Sequence, residues 1–210
     1  STMVKFVATT SLFKYTWEQV AISFWQRYPN PNSKHVLTED VISRQIDGDK
    51  IISRRMLTKT NKIPKWGEKL VGQNKNVLIV EESVVDMSQK TVTTYTRNLG
   101  LQKIMSIEEK CVYKINPENP AWTICERTAF VSSCVFGVAG ALEVFGAKRF
   151  QSNAKKATQG LDFVLTSLFR SDHLKDHPLL VSTKIKDTAR KAAEMAKSKA
   201  PPILSRASST

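Results

Sequence analysis

Cysteine is scarce in this chain: Cys111, Cys125 and Cys134 are the three present among 210 residues. They show neither paired spacing nor a C-x-x-C motif, so no disulfide framework or thiolate metal site is expected, and the thiols read as reduced and structural. No apolar run approaches the roughly 20 residues that a membrane-spanning helix needs. Catalytic signatures are missing as well. There is no G-x-S-x-G, no H-E-x-x-H, no Walker loop and no dinucleotide fingerprint, and Gly137 and Gly140 have neither the spacing nor the context for one. His173 and His177 stand at i,i+4 but precede Pro178 and lack an obvious third ligand. Neither an enzyme nor a cofactor or metal is expected. Acidic residues are also few, 19 against 32 Lys and Arg, which leaves a net charge of +13. That balance predicts affinity for something polyanionic. Recognition-helix, zinc-finger and aromatic RNP patterns are all absent, so nucleic acid is not the expected partner.

What is present reads as one globular domain over residues 3–170, followed by a basic, Ala-rich tail over 171–210 that is weakly helical or disordered. Ser1 and Thr2 precede Met3, and strand-like sequence starts at Val4, which leaves no room for a signal or transit peptide ahead of the fold. After a first strand over Val4 to Thr9, Thr16-Trp17-Glu18-Gln19 forms a capping box that opens a helix. Trp17, Val20, Ala21, Phe24, Trp25 and Tyr28 recur on it at helical spacing, and Pro29-Asn30-Pro31 ends it. Six strand-like runs follow, His35 to Ile46, Lys50 to Thr58, Asn76 to Asp86, Thr91 to Asn98, Ile104 to Asn116 and Ala121 to Val131. Short turns such as Asp47-Gly48-Asp49 join them, which predicts an antiparallel meander. Met105, Ile107, Glu109, Cys111, Tyr113 and Ile115 make one mostly apolar face that needs a cover. Gly137 to Phe169 supplies it, with Leu142, Gly146, Phe150, Ala154, Ala157, Leu161, Val164 and Leu168 along one side of a helix. At about 45 Å it is long enough to cross all seven strands. The expected fold is α+β, a curved seven-stranded antiparallel sheet gripping a long C-terminal helix, with a slot between them.

Three groups of residues could carry function. Arg54, Arg55, Lys59, Lys62, Lys65 and Lys69 alternate with Ile63, Pro64, Trp66, Leu70 and Val71, a basic and apolar mixture that suits a membrane–water interface as well as it suits a solvated hairpin end. Arg27 falls in the last turn of the first helix, near His35 at the start of the next strand, where both could meet a phosphate. Arg149, Asn153 and Lys156 share one stripe of the long helix, and no acid occurs between Glu143 and Asp162.

Taken together, Arg27-Tyr28-Pro29-Asn30-Pro31, His35-Val36-Leu37, the run Arg55 to Trp66, Thr94 to Leu99, Glu108-Glu109 and Phe150-x-x-Asn153 closely resemble the PRELI-like phospholipid-transfer family of the mitochondrial intermembrane space, in particular its phosphatidic-acid branch. The resemblance covers Met3 to about Arg170. It implies a START-like helix-grip fold with a cavity for one phospholipid. It also implies phosphatidic acid transfer between outer and inner mitochondrial membranes in support of cardiolipin synthesis, with transient contact to anionic membranes. The head-group readers it implies are Arg27, His35, Arg55, Lys59, Lys62, Arg149, Asn153 and Lys156. A lid over Lys62 to Gln73 would touch the membrane through Ile63, Pro64, Lys65, Trp66, Leu70 and Val71. A small helical partner with twin C-x9-C motifs is implied as the other half of a heterodimer. Phosphatidylserine transfer, and an adaptor protein whose basic surface binds acidic partners, remain as alternative readings.

Overall fold

The computed structural model describes residues 4–60, 68–71, 76–102 and 104–174, with the side chains of residues 70–71 and 170–174 outside that set. Strand β1 (Val4–Phe13) leads into helix α1 (Trp17–Phe24), and a single 3-10 turn (Pro31–Ser33) precedes the meander β2 (Val36–Asp47), β3 (Lys50–Thr60), β4 (Asn76–Asp86), β5 (Thr91–Asn98), β6 (Ser106–Ile115) and β7 (Thr123–Ser132). A four-residue helix α2 (Glu68–Val71) lies between β3 and β4, and α3 (Ala139–Leu174) closes the described chain. All seven strands form one antiparallel sheet in the order β1-β7-β6-β5-β4-β3-β2. Residues 1–169 make up one compact unit and 170–210 another.

Local chemistry accounts for the elements. The Thr16 side chain accepts from the Gln19 amide while the Gln19 side chain accepts from the Thr16 amide, so both arms of the predicted capping box are made. Between β2 and β3, Gly48 adopts φ +56°, a left-handed turn conformation that costs glycine nothing. On β7 the odd-numbered residues Thr123, Cys125, Arg127, Ala129 and Val131 are buried and their even neighbours are not, which defines the inner face of the sheet.

The long helix follows the direction of β1 instead of crossing the strands. Gly146 lies over Met105 and Val131. Ala147, Phe150 and Ala154 pack with Val7 and Ala129, Thr158 bonds Ser11, Leu161 and Leu165 join Phe13, and Thr166 bonds the Tyr15 hydroxyl. The lengths agree: 20 residues of helix from Gly146 to Thr166 rise about 30 Å, and the eight residues from Val7 to Tyr15 span about 26 Å as strand. A twisted, coiled sheet offers a trough along its strands, and the helix lies in it. Leu168, expected on the buried stripe, is 42% exposed, because the stripe that meets the core there runs through Leu161, Leu165 and Phe169; Leu165, which the sequence did not single out, is fully buried.

The helix is packed unequally along its length. Its later part meets an aromatic cluster of Phe13, Tyr15, Trp17, Phe24 and Tyr113 through Leu161 and Leu165. Its earlier part presents small residues, Gly146, Ala147 and Ala154, beside the larger Leu142 and Phe150. Two of the helical glycines are required by close approach. A Cβ at Gly146 would come within 2.7 Å of Val131, and one at Gly160 within 2.6 Å of the buried Asn30 side chain. Alanine in a helix is normally favoured over glycine by about 1 kcal/mol, yet Gly160→Ala is expected to destabilise by about 1–3 kcal/mol through overpacking. Gly140→Ala, with nothing within 4 Å, should be neutral or stabilising. Urea denaturation of the two variants checks the contrast.

Candidate functional site

Because β1 lies at one edge of the sheet and β2 at the other, the segment between them must traverse the sheet's width. It carries Arg27 to the middle. Helix α1 ends at Phe24, so Arg27 lies three residues beyond it and not in its last turn as the spacing predicts. The guanidinium nevertheless caps the helix, since Arg27 Nη1 donates to the Phe24 carbonyl at 3.0 Å. Asn30 fixes the loop from within: its Nδ2 donates to the Arg27 carbonyl and its Oδ1 accepts from the Asn32 amide at 2.9 Å. The bare Cα of Gly160 leaves room for that side chain.

Below Arg27 lies a chain of ion pairs. Glu81 on the inner face of β4 accepts from Arg27 Nη2 through Oε2 and from Arg55 through Oε1, with Arg55 Nε at 3.1 Å. Arg55, 1% exposed, also donates to Glu39 of β2. The guanidiniums of Arg27 and Arg55 lie over the Phe24 ring, 4.0 and 5.0 Å from its centroid. Burial raises the pKa of Glu81, but the two guanidiniums more than reverse this and hold it at about 2. Arg27 is pulled down by burial and driven above its ordinary value by Glu81.

Over this network is a cavity of about 70 Å³. Its floor comes from β4, β5, β6 and β7 (Glu81, Thr94, Thr96, Glu109, Cys111, Tyr113 and Arg127), its far wall from α3 (Asn153, Ala154, Ala157 and Leu161), and its rim from Arg27, Ser33, His35 and Lys59. A second ion pair joins Arg127 to Glu109, whose Oε1 also accepts from the Cys111 thiol. Cys111 is held as a thiol by its contact with Cys125, by burial and by Glu109, so it is no activated nucleophile. Arg27, Lys59 and Arg127, two carboxylates, two threonine hydroxyls and the amides of Asn30 and Asn153 therefore face one small space. Such a site suits an anion with several oxygens.

Of the residues named from the sequence, the structure brings Arg27, His35, Lys59 and Asn153 to this cavity. Arg55 lies beneath it, committed to Glu81 and Glu39. Arg149 is half-buried one turn before Asn153 and donates to the Thr60 carbonyl at the end of β3, while burial lowers its pKa. Lys156 is exposed on the same helix. Lys62, Ile63, Pro64, Lys65 and Trp66, and the side chains of Leu70 and Val71, lie outside the described residues. Glu81, Glu109 and Arg127 were not singled out as site residues. The readable signal was a charge at an inward position of an alternating strand, as with Glu109 between Ile107 and Cys111.

A curved antiparallel sheet gripping a C-terminal helix, with a polar cavity enclosed between them, defines the START-like helix-grip class. The fold is shared with TTHA0849 from Thermus thermophilus, at a TM-score of 0.53 and 15% identity over 78% of this chain and 99% of that one. Sequence defines the family: residues 18–171 match the PRELI-like family model. The chain is 46% identical to PRELI domain-containing protein 1, mitochondrial, of Gallus gallus over 93% of this chain and 88% of the relative. It is 34% identical to Protein UPS1, mitochondrial, of Saccharomyces cerevisiae over 79% and 95%. The chain thus belongs to the PRELI-like family, whose relatives here are mitochondrial.

The ion chain predicts an acid-labile fold. The Glu81 carboxyl titrates lower in the folded state than its ordinary 4.5, so its contribution is complete above that pH and is lost as pH falls toward about 2. A shift of this size corresponds to roughly 3 kcal/mol. Chemical denaturation between pH 7 and pH 2 should show a steep loss below pH 4.5, and Glu81→Gln should flatten it.

Proposed function

We propose that the protein is a phospholipid carrier of the mitochondrial intermembrane space that moves phosphatidic acid between the outer and inner membranes, in support of cardiolipin synthesis. The observation that carries this reading is the convergence of Arg27, His35, Lys59, Arg127 and Asn153, from separate parts of the chain, on one enclosed polar cavity. Membership of the PRELI-like family, with relatives named as mitochondrial, supports it. The cavity has room for a phosphate group: about 70 Å³ is several times the ~10–15 Å³ that a cavity needs to hold one water. Acyl chains need more space, and the early part of α3 is where the least is given up to make it. Gly146, Ala147 and Ala154 bury little apolar area apiece, whereas Leu161 and Leu165 anchor the later part in the aromatic cluster. Parting the sheet from the early helix lets the chains follow the head group inward, at about 0.8 kcal/mol of burial per CH₂ and nearly the same loss on leaving the bilayer. A small helical partner with twin C-x9-C motifs belongs to this reading as the stabilising half of a heterodimer.

Transfer of labelled phosphatidic acid and phosphatidylserine between donor and acceptor liposomes, with the partner present, tests it. Lys59 is the best probe: it is half-buried on the rim and makes no ion pair among the described residues. Lys59→Glu should lower phosphatidic acid transfer by about tenfold or more, the effect of one buried charge-assisted contact, with little change in denaturation midpoint. Faster transfer of phosphatidylserine would reassign the head group. No transfer of either lipid by folded protein would leave the cavity a structural feature.

A further inference from the structure

Arg27 is a buried cation whose side chain reaches the cavity wall, with Nη1 on the Phe24 carbonyl and Nη2 on Glu81. An enclosed guanidinium needs an anion in every state of the molecule, because removing its partner leaves an uncompensated buried charge. In the empty protein that anion is Glu81. Its two oxygens are divided: Oε2 serves Arg27 alone, and Oε1 serves Arg55, which is itself held by Glu39. The link to Arg27 can therefore open without releasing the carboxylate. Arg27 would also stay in place, since its Nη1 is tied to the Phe24 carbonyl.

We infer that Glu81 is a resident anion of the head-group cavity, which exchanges with the phosphate of the incoming lipid. This rests on the carrier reading above and adds to it a residue that governs release. On loading, a phosphate oxygen takes Nη2 of Arg27 while Glu81 remains on Arg55. On unloading, Oε2 of Glu81 returns to Arg27, and no bare guanidinium is left behind. Thr96 and Glu109 continue the same row of register partners across β5 and β6. Arg127, paired to Glu109 at the far end of the floor, faces the same space, so the phosphate enters between two pre-neutralised arginines. Glu81 in this arrangement weakens capture and speeds departure, which a shuttle requires and a storage protein does not.

The test uses the full chain and dihexanoyl phosphatidic acid as a soluble probe, with dihexanoyl glycerol as the matched ligand without phosphate. Calorimetric titration and stopped-flow release compare the wild type with Glu81→Gln and with Glu82→Gln, which removes the neighbouring carboxylate from the outer face of β4 and leaves the Glu81 pairs in place. Removing a competitor that occupies Arg27 about nine-tenths of the time tightens binding about tenfold. Glu81→Gln should show that gain for phosphatidic acid, a matching slowing of release, and no gain for the glycerol. Glu82→Gln should show neither. Phosphatidic acid binding by Glu81→Gln equal to or weaker than the wild type's overturns the exchange while leaving the carrier reading intact; absence of binding by the wild type overturns both. If Glu81→Gln is unfolded alone, recovery of a cooperative thermal transition on adding the short-chain phosphatidic acid supports the exchange, and failure to recover counts against it.

Discussion

The ion chain that runs from Arg27 through Glu81 and Arg55 to Glu39 holds the site together. It joins the loop after α1 to β4, β3 and β2 in turn, so it connects the segment that traverses the sheet to the half of the sheet farthest from β1. The aromatic cluster under α1 and the late part of α3 secures the other half. Removing one member of a buried ion pair typically costs about 3–5 kcal/mol, a large share of the margin that keeps a domain folded. The same groups thus determine whether the domain closes and how the cavity is charged.

A constraint of register lies behind this. Arg54 and Arg55 are adjacent on β3, and Glu81 and Glu82 are adjacent on β4. The antiparallel pairing sets Arg55 opposite Glu81 and Arg54 opposite Glu82. One pair therefore forms in the interior and the other on the outer surface, where both side chains are about half exposed. The outer pair, screened by solvent, contributes little. A one-residue slip of β3 against β4 would bury Arg54 in place of Arg55 and turn the apolar inward positions of β3 outward, so the charge pairs and the hydrophobic alternation enforce the same alignment.

That register also explains what was legible in the sequence. The capping box at Thr16, the turn at Gly48 and the strands over Asn76 to Asp86 and Thr91 to Asn98 depend on local chemistry, and they could be read from a few residues each. Which of two neighbouring glutamates faces inward could not, because Glu81 and Glu82 fit the strand equally well until β3 is laid beside it. Arg27 and Lys59 announced themselves as cations with nothing nearby to neutralise them. The neutralising residue for Arg27 is 54 positions away. The orientation of α3 was hidden for a similar reason: its length is compatible with crossing the strands, and only the coiling of the sheet directs it along β1.

The distribution of charge separates two tasks that composition merges. The chain carries +13 overall, yet the cavity wall holds Arg27, Lys59 and Arg127 against Glu81 and Glu109 and is close to balanced. The excess positive charge is then carried by other residues of the chain, and any of it that meets solvent acts over a Debye length of about 8 Å at physiological salt. Charge at that range attracts the protein to any anionic surface and cannot tell one phosphate ester from another. In the carrier reading, discrimination falls to the interior, where Arg27 and Arg127 are already oriented by carboxylates and an entering anion must offer more than the carboxylate it displaces. In the carrier reading, added salt weakens the approach to the membrane far more than it weakens the grip on a lipid already inside. Affinity for the bilayer and affinity for the head group are therefore set by different residues, and a carrier that has to leave one membrane for another needs them to be independent.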